Sequence, residues 1–457
     1  MTYNYNFFDE LEKFGDAPAV ETECKIISYS QLVNMAENLT RDIFSRALVF
    51  LVCKNEPEAI AGYIGCIRKR AVPVLINSTI DKDLFNSLKN LYRPNYILCP
   101  ENFNDGEYKL SLENKSPHEI FNDLAILLTT SGSTGSPKFV RQSYKNIQAN
   151  THSICEYLKI SRNDKAITTM PMSYTYGLSI IQTHLFSGAT IFTTEKNFFN
   201  RDFWQIMRDK KINTFGAVPY TYEMLDKLRF LKMNLPDLKY ITQAGGHLNK
   251  DLQNKFARGF HEQNKKFIVM YGAAEATARM SYIPSEYALN KIGSIGIAIP
   301  GGRFEIIDDD QNIITAPNLS GELVYYGDNV TLGYAQCLED LAKNDENKGR
   351  LLTGDIAKFD EDGFFYIEGR KKRFLKIFGN RVNLAELEEI LKARGYECAC
   401  TGVDDHLKIY MTDKTKLTTV IETAESVTHL NRAAFEAVYI EKIPRNDAGK
   451  ILYSELV

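Results

Sequence analysis

The sequence predicts an α/β protein of two or three domains, and three observations carry that prediction. Short apolar runs alternate with amphipathic segments along most of the chain, the pattern of strands and helices stacked in layers. The chain has 457 residues, more than one ordinary domain, and 44% of them are hydrophobic, which supplies sizeable cores. The composition then shifts near Glu368, where "EGRKKRFLKIFGNRVNLAELEEILKARG" crowds basic residues ahead of a fresh helix.

Taken in chain order, the runs at 47–53, 124–128 and 268–270 read as strands buried on both faces. Ser143 is placed to cap a helix on which Ile147, Ile154 and Leu158 share one face, so the stretch before it lies between a strand and a helix. A second helix is capped by Asn383, with Glu386 at the capping-box position and Gly395 at its end. The boundary between domains falls at 369–372, dividing the chain into 1–369 and 370–457. Beyond it, "YECACTGVDDHLKIYMT" and "AFEAVYIEKIP" read as strand, turn, strand, helix and strand, a small α+β lid. There is no internal repeat and no low-complexity tract.

Composition excludes several classes. A net charge of −3 gives no bulk attraction for nucleic acid or a membrane surface, so small anions must be bound locally. The opening "MTYNYNFFDELEKF" lacks a basic start followed by an apolar stretch, and no run of about 18 apolar residues occurs. A cytoplasmic location without nucleic-acid or membrane partners is the expectation. Eight scattered cysteines resemble reduced usage, and Cys398 and Cys400 read as strand residues on one side, not as half of a metal site.

The stretch "TTSGSTGSPKFV", 129–140, interleaves glycine with hydroxyls and closes on Pro137-Lys138. Such a loop turns several backbone N–H groups toward one anion, and Lys138 adds a point charge, so phosphate is the natural ligand. The kinase-type loop needs Gly-x-x-x-x-Gly-Lys-Ser/Thr, whereas Gly135 is followed here by Ser136-Pro137-Lys138, so that reading fails on spacing. Alone, the stretch fits a phosphate grip or an ordinary surface turn equally well.

The order of further motifs decides between them. "QAGGHL" (243–248), "YGAAEAT" (271–277), "GSIGIAIPGG", "GELVYYGDNVTLGY", "LLTGD" (351–355), "GRKKRFLKIFGNRV" and "IPRNDAGK" (443–450) follow in turn. This series, running over essentially the whole chain, resembles the adenylate-forming superfamily of acyl-CoA synthetases, peptide-synthetase adenylation domains and luciferases. The resemblance implies a large N-terminal domain of layered sheets and helices with a small mobile C-terminal domain. It implies a ligase that couples a carboxylate to the α-phosphate of ATP with magnesium, expels pyrophosphate, and passes the acyl group to a thiol.

Residue roles follow from the same resemblance. Thr130, Ser131, Gly132, Ser133, Thr134, Gly135 and Lys138 would hold the phosphates, and Glu275 would ligate magnesium. Gly245, Gly246 and His247, with Tyr271, Gly272 and Ala274, would enclose the nucleotide, Tyr271 stacking on adenine. Asp355 would accept the ribose hydroxyls, and Arg370 would also reach the ribose. Lys450 would bridge carboxylate and α-phosphate during adenylation. Lys372 matches the hinge about which the C-terminal domain turns between the two reactions, although the basic run 370–376 also fits a nucleic-acid or targeting patch. Gly379 would line the path of the thiol.

Two positions depart from the family pattern. Ala274 replaces the threonine of Tyr-Gly-x-Thr-Glu and removes one hydroxyl, a loss on the order of 1 kcal/mol for which Thr277 is the nearest substitute. Phe139 stands where glycine usually follows the loop lysine. The acid is expected to meet "MPMSYTYGLSIIQTHLFSGATIF" and "GAVPYTYEML", with Tyr174, Tyr176, Val218 and Pro219 as pocket candidates. The tyrosines fit buried core positions equally well. The first stretch contains no acid to pair with an α-ammonium, which disfavours amino acids. A small or hydroxylated carboxylic acid is expected, with coenzyme A as leading acceptor and the phosphopantetheine of a separate acyl carrier protein as second. Two other readings stay open: an amino-acid ligase that loads a carrier protein, and a nucleotide-binding interaction protein without chemistry.

Overall fold

The computed structural model describes residues 6–103, 106–129, 138–377, 380–403, 405–428, 430–445, 449 and 451–456. Their chain falls into two compact units, the first drawn from 1–132, 136–303 and 326–351, the second from 304–325 and 352–457.

Two large sheets organise the first unit. In the nine-stranded sheet, Thr214–Ala217, Tyr240–Gln243 and Lys266–Tyr271 run parallel in register, Thr214 opposite Tyr240 and Tyr240 opposite Lys266. Helices Pro219–Lys227 and Lys250–Glu262 make the crossovers, as parallel strands require. The seven-stranded sheet is centred on Leu48–Cys53, Val72–Asn77 and Leu124–Thr129. All six residues of Leu48–Cys53 are buried, the two-faced burial its unbroken apolar run predicts.

One expectation is corrected here. The hydroxyl-rich stretch does not lead from a strand straight into a helix, because strand Phe139–Ser143 intervenes and pairs antiparallel with Leu124–Thr129, Thr129 opposite Phe139. Phe and Val favour a pleated, covered position, and all five residues of the strand are buried. Phe139 packs at 4.9 Å from the ring of Tyr92, so the residue that replaces the usual glycine turns into the core. Ser143 then caps helix Tyr144–Leu158 as the sequence predicts: its hydroxyl accepts from the Asn146 N–H at 3.1 Å, and the Asn146 side chain accepts from the Ser143 N–H at 2.8 Å.

A four-stranded sheet of Gly302–Ile307, Gly321–Gly327, Arg350–Phe359 and Phe365–Arg370, most of whose residues fall in the second unit, precedes the ribbon Phe374–Ile377 and Asn380–Asn383. The boundary expected at 369/370 lies within this unit, at the end of Phe365–Arg370. Asn383 caps helix Leu384–Ala393 through bonds from the Ala385 and Glu386 N–H groups. Strands Cys398–Val403, His406–Met411 and Phe435–Tyr439, with helix Leu417–Thr428, supply the expected strand, turn, strand, helix, strand. Cys398 and Cys400 enter one apolar cluster and Ala399 another, the alternation of a strand. Among the described residues, no helix is long and apolar enough to cross a membrane.

Within the first unit, Arg141 locks strand Phe139–Ser143 to the segment 332–346. Its side chain is fully buried and donates to the carbonyls of Lys343, Leu332 and Asn344 and to Glu346 Oε2 at 2.6 Å. Replacing it by methionine strips several acceptors of a shared donor. Arg141→Met should therefore lower unfolding stability by on the order of 3 kcal/mol in a urea titration; an unchanged midpoint would show that these bonds contribute nothing net.

Candidate active site

In open α/β sheets, ligands collect at the carboxyl ends of parallel strands, where backbone and side chains converge without blocking one another. Val218 and Pro219 follow Thr214–Ala217, Gly245 and Gly246 follow Tyr240–Gln243, and Gly272 to Glu275 follow Lys266–Tyr271. Three of the sequence-predicted groups therefore emerge on one edge.

The first cluster is tightly packed. Gly245 has φ +88°, and a Cβ there would stand 2.8 Å from the Tyr174 hydroxyl and 3.1 Å from Val218 Cγ1. Glycine is needed on both counts. Pro219 opens helix Pro219–Lys227 and sits beside Gly246. Tyr174 is half-buried, and burial pushes its phenol up to about 12. Tyr176 is buried with its hydroxyl 2.7 Å from Thr242 Oγ1. His247 is exposed at the end of the same turn.

The second cluster surrounds Glu275. A Cβ on Gly272 would fall 1.9 Å from the Ala278 carbonyl oxygen, so the loop from Gly272 to Ala278 closes on itself only because that side chain is missing. The closure is completed at Thr277, where φ +66° and ψ −60° with an Ala278 N–H to Ala276 carbonyl bond of 2.7 Å define a γ-turn. That conformation is rare for a β-branched residue and stores local strain. The Thr277 hydroxyl donates to the Asn329 carbonyl at 2.7 Å and is buried, so it does not replace the hydroxyl lost at Ala274.

Glu275 itself is only half-buried. Its carbonyl accepts from the Thr331 N–H and hydroxyl, both at 3.0 Å, and its carboxylate accepts from the Tyr334 hydroxyl. The ring of Tyr334 lies 3.9 Å from Lys138 Nζ, a cation–π contact. Tyr334 thus stands between the lysine that closes the hydroxyl-rich stretch and the carboxylate expected to hold magnesium. Its own place is fixed by strand Tyr334–Ala335, which pairs with Phe139–Ser143, Tyr334 opposite Val140.

In the second unit, Asp355 is buried and faces Arg370 across the strand pair, with Arg370 Nε 2.6 Å from Asp355 Oδ1. Tyr271 ends its strand opposite Ser281 in the first unit. Thr130, Ser131, Gly132, Ser133, Thr134, Gly135, Gly379 and Lys450 lie outside the described residues, as does the side chain of Lys372, whose backbone forms part of the turn Lys371–Arg373.

Two residues with roles here were not singled out in the sequence. Tyr334 belongs to the motif "GELVYYGDNVTLGY" but carried no assigned role. Arg141 looks like any strand residue.

The site fits the groups the family uses. Glycine at 245 lets Tyr174 and Val218 pack against the backbone, and the Glu275 carboxylate is held by the Tyr334 hydroxyl.

Comparison with known proteins agrees: the chain belongs to the family described as AMP-binding enzyme, whose profile matches residues 7–335. A 2-succinylbenzoate–CoA ligase of Bacillus cereus is 25% identical over 96% of this chain and 95% of its own. A luciferin 4-monooxygenase of Nipponoluciola cruciata is 25% identical over 83% and 70%. The o-succinylbenzoate CoA synthetase of Bacillus subtilis, solved with its acyl-adenylate, shares the fold at TM-score 0.80 and 18% identity, covering 100% of this chain and 98% of that one. ATP-bound MatB from Rhodopseudomonas palustris gives TM-score 0.79 at 20% identity, covering 99% and 98%.

Removing the Tyr334 hydroxyl unties the Glu275 carboxylate without opening a cavity. Tyr334→Phe should raise the magnesium concentration needed for half-maximal nucleotide cleavage about tenfold while leaving the melting temperature nearly unchanged. An unaltered magnesium titration would show that Tyr334 does not orient the carboxylate.

Proposed function

We propose that the protein activates a carboxylic acid as its acyl-adenylate and transfers the acyl group to a thiol, with coenzyme A as acceptor. The observation that supports this reading best is the run of contacts from Lys138 through Tyr334 to the Glu275 carboxylate. A carboxylate oxygen attacks the α-phosphorus of ATP, the bond to the bridging oxygen breaks, and pyrophosphate leaves. The thiol sulfur then attacks the acyl carbon, its proton is lost, and AMP departs with the bonding pair.

An anion must approach a polyanion in the first step, so charge is the main barrier. Magnesium at Glu275 would supply a Lewis acid that draws charge from the phosphate oxygens. Lys138 and the loop 130–135 add a point charge and donors to the leaving pyrophosphate. Tyr271, Gly272 and Ala274, all in the first unit, flank the nucleotide with His247. Lys450 bridges carboxylate and α-phosphate during adenylation. Rotation of 370–457 about Lys372 then withdraws Lys450 and opens the thiol path past Gly379, so that one site runs two reactions. The curated relatives named as CoA ligases support coenzyme A over a carrier protein.

Carboxylate-dependent ATP–pyrophosphate exchange across short acids, hydroxy acids and amino acids, without thiol, tests the reading. Exchange is expected with acids that lack an α-amino group, and Lys450→Ala should depress it by about 100-fold or more while nucleotide binding persists. Exchange confined to amino acids would contradict the substrate assignment. Exchange equally fast in the Lys450→Ala protein would contradict the mechanism.

A further inference from the structure

Near its end the chain is anchored to the small sheet of the second unit. Arg445 and Ile451 form an antiparallel bridge, and the Leu452 N–H donates to the Pro444 carbonyl at 2.9 Å, so the chain on either side of 446–450 is joined. Ile443, Ile451, Tyr453 and Leu456 then pack with Ala399 and Tyr410 of strands Cys398–Val403 and His406–Met411.

Tyr453 does more than pack. Its hydroxyl donates to Glu388 Oε2 at 2.9 Å, and its ring centre lies 3.8 Å from Arg373 Cζ. Arg373 Nη2 donates to Glu388 Oε1 at 2.8 Å and to the Cys400 carbonyl at 3.1 Å, while the Cys400 N–H donates to Glu388 Oε1 at 2.5 Å. One carboxylate therefore gathers the tyrosine, the arginine and a strand. The side chains of Arg373 and Glu388 are only 17% and 13% exposed, so water and salt screen these charge-assisted bonds little. Burial and the neighbouring carboxylate hold the Tyr453 phenol well above its ordinary range, which keeps it a donor at neutral pH.

The neighbours of these residues in sequence give the cluster its interest. Arg373 closes the turn Lys371–Arg373, which contains the expected pivot Lys372, and Tyr453 follows Lys450 by three residues. Arg373, Glu388, Cys400 and Tyr453 all belong to the second unit. The pivot turn and the segment that bears the proposed catalytic lysine are thus tied to the same carboxylate. For packing alone the ring of Tyr453 would suffice, whereas its hydroxyl adds a directed bond to a charged group.

We propose that Tyr453 is a positioning residue for adenylation: through Glu388 and Arg373 it fixes the segment bearing Lys450 relative to the turn at Lys372. The inference rests on the adenylation reaction and the Lys450 role proposed above. A lysine ammonium rides on a flexible four-carbon stem, so it is placed only as well as the backbone that carries it. Misplacing a reacting group by about 1 Å costs on the order of 100-fold. Transfer to the thiol, from which Lys450 is withdrawn, does not draw on this tie.

The test separates the two half-reactions in the full-length protein. Adenylation is read as ATP–pyrophosphate exchange with the panel of acids above, acetate, butyrate and lactate among them. Transfer is read as thioester formation from coenzyme A and the synthetic acyl-adenylate of the acid that exchanges fastest. Tyr453→Phe should lower kcat for exchange about tenfold, with KM for ATP and acid little changed, and should leave thioester formation within about twofold of wild type. In a Lys450→Ala background the same substitution should lower exchange no further, because a positioning residue acts only through the group it positions. Equal losses in both half-reactions would assign Tyr453 to packing and overturn the inference. Exchange as fast as wild type, or a further fall on top of Lys450→Ala, overturns it as well and leaves acid activation standing. No exchange by the wild type with any acid overturns both proposals.

Discussion

A single buried guanidinium holds the proposed reaction centre in place. Arg141 gathers three carbonyls and Glu346 around itself, and in doing so presses 332–346 against the strand that follows the hydroxyl-rich stretch. That contact sets the register in which Tyr334 opposes Val140. From there Tyr334 reaches Lys138 with its ring and Glu275 with its hydroxyl. A shift of one residue in this short pairing would turn Tyr334 to the other face, because strand side chains alternate. The distance between Lys138 and the Glu275 carboxylate therefore depends on packing at 332–346.

The glycines solve a complementary problem. A nucleotide must lie against backbone, and backbone is accessible only where side chains are missing. At Gly245 any Cβ would meet Tyr174 and Val218, so the backbone there packs directly against both side chains. At Gly272 the constraint is stricter, since the Ala278 carbonyl occupies the space of a side chain and the γ-turn at Thr277 completes the reversal. The same turn commits the Thr277 hydroxyl to the Asn329 carbonyl.

Much of this was legible in the sequence, for identifiable reasons. Buried strands such as 47–53 announce themselves by unbroken apolar runs, and caps such as Ser143 and Asn383 by residue type at a helix start. The ordered motifs singled out Glu275, Asp355 and Gly245–Gly246 because glycine and acid in fixed spacing have few structural uses. Strand Phe139–Ser143 was hidden, since Arg141, Gln142 and Ser143 look polar and exposed until Leu332, Lys343 and Thr277 supply carbonyl acceptors. The open choice at Tyr176 turns on the same limit, because its Thr242 partner lies on a distant strand.

In the proposed reaction an attacking carboxylate cleaves ATP between its α and β phosphates. The most direct measurement is the nucleotide product of a single turnover with α-labelled ATP, magnesium and acid but no thiol, quenched and resolved by mass. Acyl-AMP should form in amounts stoichiometric with enzyme, alongside free pyrophosphate. Formation of ADP and inorganic phosphate, or ATP left intact with acids that bind, would contradict the claim.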